Sequence, residues 1–111
     1  MCTLICTIEL NKHKDKGITI KVDGKGCNVK HAIQLTKDSI TMTSNKGENT
    51  TVITQTADSI KLDDGGKDGS VICIDKKKIS INSEEIILQA SGCIRVEGKK
   101  VYLGKPPLDE S

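Results

Sequence analysis

The chain has 111 residues, with 17 Lys and Arg against 15 Asp and Glu and a net charge of +2. That bounds it to one domain and argues against a dedicated nucleic-acid binder, which needs a concentrated basic excess. With ten Gly, no Phe, no Trp and Tyr102 as the only aromatic, the apolar matter is slim and branched, favours strands, and implies a core too narrow for rings.

Met1 to Leu10 alternates Cys2, Leu4, Cys6, Ile8 and Leu10 with Thr3, Ile5, Thr7 and Glu9. It lacks the basic start and small-residue cleavage site of a secretory leader and reads as a strand, so cytoplasmic synthesis without a signal peptide is expected. Five cysteines at irregular spacing then predict thiols with no disulfide framework. Residues 1–16 are expected to form an N-terminal strand or collar, 17–104 a repeating β region and 105–111 a tail. Along the repeat, short apolar-x-apolar groups recur: Ile18 with Ile20 and Val22, Cys27 and Val29, Ile33 and Leu35, Ile40 and Met42, Ile53, then Ile60 and Leu62. They continue as Ile72 and Ile74, Ile79 and Ile81, Ile86 and Leu88, Ile94 and Val96, and Val101 and Leu103, with first members 7, 7, 8 and 7 residues apart. Two longer steps contain Ser44-Asn45-Lys46-Gly47 and Asp63-Asp64-Gly65-Gly66, which read as loops.

A seven-residue period also fits helices, but residues two apart share one face of a strand and lie roughly 200° apart on a helix. A coiled coil is therefore rejected, and each unit reads as a strand of three to five residues followed by a tight corner. Strands with two inward side chains apiece cannot close a core in one small meander, so repetition must build it. The expected architecture is all-β: an intertwined homotrimeric triple-stranded β-helix, a triangular prism of short strands repeating about every 7–8 residues. In it each strand pairs with strands of the other two chains. The expected trimer core is Ile60, Leu62, Ile72, Ile74, Ile79, Ile81, Ile86, Leu88, Ile94, Val96, Val101 and Leu103.

Motifs for chemistry are weak. Asp63 to Gly69 is rich in acids but lacks the alternating ligands and closing Glu of a calcium loop, and reads as a Gly-rich turn. Cys27 with His31, and Cys2 with Cys6, have no second pair at zinc spacing. Only two His, His13 and His31, could serve as a catalytic base, and neither has a recognisable setting. Gly24-Lys25-Gly26 lacks a strand-to-helix context for a phosphate cradle. Lys76-Lys77-Lys78 and Lys99-Lys100 read as solvated corners that discourage edge pairing. No catalytic residue, cofactor, metal or nucleic-acid partner is expected.

The stretch TTVITQTADSIKLDDGGKDGSVICIDKKKISINSEEIILQASGCIRVEGKKVYLG, Thr50 to Gly104, resembles the C-terminal β-helix of the VgrG spike proteins of type VI secretion. It is also similar to the needle segments of contractile phage tail spikes, with SIKLDDGG, ISINSEEIILQA and VEGKKVYLG as the closest runs. Gly17 to Thr43 shares the likeness more loosely. The resemblance implies a non-catalytic, homotrimeric needle over 17–104 that punctures a membrane as part of a contractile injection apparatus, either a secretion system or a phage-tail-like particle. It implies a baseplate hub or tube protein at the N-terminal end and a PAAR-type tip protein at the C-terminal end, docking at Val101, Tyr102 and Leu103. The needle would wait in the cytoplasm before assembly and leave the cell with the apparatus or virion. The hub, oligosaccharide-binding-fold and lysozyme domains of such spikes have no room here, so the chain would be a minimal needle or a piece of a larger spike. His13 and His31 do not form the closely spaced pair of an axial ion site. Rival readings are a lipid-binding β-jellyroll of the lipopolysaccharide-transport type, which has similar Val-Glu-Gly turns, and a polymerising single-chain β-solenoid.

Overall fold

The computed structural model describes residues 1–11 and 17–104, so His13 and the expected tail 105–111 lie outside the described residues. Eight strands follow one another: β1 Thr3–Asn11, β2 Gly17–Lys25, β3 Val29–Leu35, β4 Ile40–Lys46, β5 Asn49–Gln55, β6 Ile60–Asp63, β7 Val71–Asp75 and β8 Lys78–Asn82. They form one sheet in the order β1 to β8, each strand antiparallel to its sequence neighbours. Among the described residues the fold is all-β.

Several expectations are corrected. Over 3–82 the strands pair within the chain, and the first five have nine or seven residues rather than three to five. The apolar doublets mark only the middle of each strand, because Thr, Ser and Asn beside them extend the ladder without adding an apolar signal. For the same reason Ser44, Asn45 and Lys46 belong to β4 rather than to a loop. The reversal is confined to Gly47 and Glu48, between the paired Lys46 and Asn49. Gly47 has φ 64°, the positive value that a two-residue hairpin needs at its first position.

Two hairpins are built alike. Thr36-Lys37-Asp38-Ser39 joins β3 to β4, and Thr56-Ala57-Asp58-Ser59 joins β5 to β6. In each the Thr N–H donates to the Ser carbonyl at 2.9 Å. The Thr Oγ1 accepts from the Asp and Ser amides, at 3.3 and 3.2 Å in the first and 3.2 and 3.1 Å in the second. This is the ST-turn preference of Thr, repeated twenty residues on. Lys76 Nζ at the β7–β8 tip reaches Asp58 Oδ1 at 3.3 Å.

The β6–β7 connection is a loop, as the acid- and glycine-rich sequence predicts. Asp64 Oδ1 accepts from the Gly66 amide and Oδ2 from the Ser70 amide, both at 2.9 Å, while Asp63 Oδ1 accepts from the Gly65 amide at 2.7 Å. A Cβ at Gly69 would run into the Asp64 carboxylate, which accounts for glycine there.

Residues 84–104 enter no strand ladder, so the predicted strands at Ile86 and Leu88, Ile94 and Val96, and Val101 and Leu103 do not form within one chain. A further correction concerns thiols: Cys2 and Cys27 are joined by a disulfide, with Cα atoms 5.2 Å apart. The β1–β2 register sets Thr3 opposite Lys25, which carries the start of β1 to the β2–β3 turn. Cys6, Cys73 and Cys93 are free.

Candidate functional site: an uncovered apolar face

Residues directly opposite in an antiparallel ladder share a face. Following the register from β1 to β8 gives one row of Ile8, Ile20, Ile33, Met42, Ile53, Leu62, Ile72 and Ile81. Two residues along, a second row runs Leu10, Ile18, Leu35, Ile40, Gln55, Ile60, Ile74 and Ile79. Gln55 is the only polar member of the two rows. On the other face the corresponding row is Glu9, Thr19, Gln34, Thr41, Thr54, Lys61, Cys73 and Ser80. One sheet thus carries an apolar, or dry, face and a polar, or wet, face. The faces are named for composition, since in the single chain the polar side chains of β4 and β5 are the more covered.

Among the described residues nothing covers the dry face. No described residue is buried, and the Ile, Leu and Met side chains of the two rows on β2 to β7 that count as exposed have 36–44% of their surface open. The accessible surface totals 10008 Å², where a compact chain of 12.0 kDa shows about 6,000 Å². The Cα radius of gyration is 19.2 Å against about 13 Å for a compact domain of this length. The excess of about 4,000 Å² is surface that a compact fold of this mass would have closed.

The dry face also narrows. On β1 and β2 it includes Cys6 opposite Val22 and Leu4 opposite Gly24. From β3 onward the third row turns polar through His31, Ser44 and Thr51, with Ser44 Oγ 2.9 Å from His31 Nδ1. Strand length falls in step, from nine residues in β1 and β2 to four or five in β6 to β8.

Of the residues expected at the core, Ile60, Leu62, Ile72, Ile74, Ile79 and Ile81 lie together in the two rows. Ile86, Leu88, Ile94, Val96, Val101 and Leu103 lie in the unpaired segment beyond β8, as do Val101, Tyr102 and Leu103 of the expected docking end. The equal membership of Ile8, Leu10, Ile18, Ile20, Ile33 and Leu35 is legible in the same doublets, although the expected core begins only at Ile60. Cys27 is taken by its disulfide, and no group of three or more His, Cys, Asp or Glu able to hold a metal occurs among the described residues. Comparisons with protein-family models, curated proteins and solved structures find no match to this chain.

Proposed function

We propose that three copies of this chain close their dry faces round a common axis and form a stiff, non-catalytic needle, a membrane-puncturing spike component of a contractile injection apparatus. The observation that carries the reading is the uncovered dry face, fifteen of whose sixteen positions in the two rows are apolar. A face two side chains wide and without an aromatic residue suits a column of small radius.

Residues 84–104 support three copies over two. Their three doublets recur at steps of 8 and 7 residues, one for each side of a three-sided column. A segment that winds once round such a column pairs with the other two chains, which is the intertwined triple-stranded β-helix expected from the sequence. Two copies packed face to face would leave that segment unpaired. The narrowing from β1 to β8 gives the column a broad end and a slender one. The broad end is the place for a baseplate hub or tube protein. Val101, Tyr102 and Leu103, at the slender end, are the place for a PAAR-type tip. Such a needle acts by stiffness alone and stays in the cytoplasm until it joins the apparatus.

Light scattering or sedimentation equilibrium of the purified chain tests this. The expected mass is three times that of the 12.0 kDa chain, or a multiple of that trimer. A folded monomer or dimer overturns the reading.

A further inference from the structure

The sheet has one open edge at its broad end, and that edge is unguarded. β1 is nine residues long, and among the described residues its outer side faces no strand. Native edges are ordinarily blunted by Lys, Pro, bulges or short length. Between Thr3 and Asn11 there is no Lys and no Pro, and the single charge, Glu9, is drawn toward the inner neighbour by Lys21 Nζ at 3.1 Å. Ile8 and Leu10 are 70% and 77% exposed, well above their row partners on β2, because they have a neighbour on one side only. The Cys2–Cys27 disulfide ties the start of this strand to the sheet.

The sequence of β1 is complementary to itself. In the one antiparallel register that pairs all nine residues of two copies, Thr7 meets Thr7, Leu4 meets Leu10 and Cys6 meets Ile8 on the dry face. Ile5 then meets Glu9 and Thr3 meets Asn11 on the wet face. All four dry-face positions of β1 meet apolar partners across the join, the Ile8 row running on into Cys6 and Val22 of the second copy and the Leu10 row into Leu4, and no like charges stand opposite each other. A twofold axis through Thr7 and perpendicular to the sheet keeps the dry faces of both copies on the same side. In a three-sided column that axis crosses the threefold axis at a right angle, so all three sides pair at once and the assembly closes.

We infer that the β1 edge is an interface between copies of this chain: two trimers join base to base through three β1–β1 pairs, giving a closed hexamer with its slender ends outward. The closure into six rests on the trimer proposed above. The edge pairing itself rests on β1. A hub at the broad end uses the same edge, so hub and second trimer exclude each other, and the paired state keeps the edge from joining strands at random.

The experiment is the mass of the full 111-residue chain, carrying no N-terminal tag, beside that of two variants. Thr7→Glu sets two carboxylates opposite each other at the twofold axis, while within each chain the new side chain faces Lys21 and strengthens the sheet. Ile5→Lys sets an ammonium opposite Glu9 of the second copy and Asp23 of its own chain. The parent and Ile5→Lys are expected at six times the 12.0 kDa chain mass, and Thr7→Glu at three times that mass with unchanged strand content by circular dichroism. A parent that is only a trimer, or a Thr7→Glu that remains a hexamer, overturns the base-to-base pairing and leaves the trimer standing. A dimeric parent that falls to a monomer in Thr7→Glu supports the β1 pairing and overturns the trimer.

Discussion

Asp64 holds the β6–β7 loop with both carboxylate oxygens, and the amides of Ser70 and Gly66 keep its carboxyl below the usual aspartate range. Its charged form is the one the fold favours. The loop's contribution is therefore fully present above the ordinary aspartate value of about 3.9 and is lost as pH falls through the lowered folded value. In an NMR titration the Gly66 and Ser70 amides are expected to move together below that range. Movement centred at the ordinary aspartate value would show that the carboxylate does not hold them. This loop is legible in the sequence as a turn, because Asp64-Gly65-Gly66 can do little else, although Asp63, expected in the loop, is the last residue of β6. Nothing in that run hints that Asp64 spans six residues to Ser70, since the contact depends on the path of the loop in space. The twin loops at Thr36 and Thr56 are legible in principle as a T-x-D-S sequence repeated twenty residues on. A search for apolar period passes over them because their work is done by hydroxyls.

At the scale of the strand, the alternation of each doublet is enough to assign the face of Ile60, Leu62, Ile72, Ile74, Ile79 and Ile81. It does not say which strands pair, since intrachain hairpins and interchain winding use the same alternation. The deciding residues are the polar ones: Thr41, Thr43, Thr50 and Thr54 let β4 and β5 run to seven residues and meet as a hairpin. Beyond Ser83 the doublets continue at similar spacing, but the chain stops pairing with itself. The strand faces lead to a contrast between two neighbouring substitutions. Ile81→Asp places a carboxylate on the dry face opposite Ile72, three times over in a trimer, and each costs several kcal/mol to bury without a partner. Lys77→Asp changes only the exposed β7–β8 tip and is expected to alter stability by no more than about 0.5 kcal/mol. Size-exclusion chromatography with thermal melting checks both: Ile81→Asp should fail to assemble, and Lys77→Asp should match the parent. An Ile81→Asp that assembles and melts like the parent would show that the dry face is not what the assembly buries.

For the molecule as a whole, composition announces a narrow aliphatic core before any element is placed, and the bare dry face is its counterpart. The disulfide is not legible, because Cys2 and Cys27 become neighbours only through the β1–β2 register. Among the described residues every ladder joins strands adjacent in sequence, so the pairing there is local. Local pairing lowers contact order and speeds folding, and each hairpin can form as soon as its second strand exists. The dry face has no such local remedy, and in the proposed trimer its cover comes from other chains. Refolding is expected to divide into a fast first-order gain of strand signal and a slower phase whose rate rises with protein concentration, both visible by stopped-flow circular dichroism and light scattering. A single phase independent of concentration would mean that the chain finishes folding alone. Between the two phases each copy is a sheet with one sticky side, and survival then depends on meeting its siblings before anything else. For such a chain, production in bursts from one message, with several copies emerging close together, would matter as much as any single contact in the finished rod.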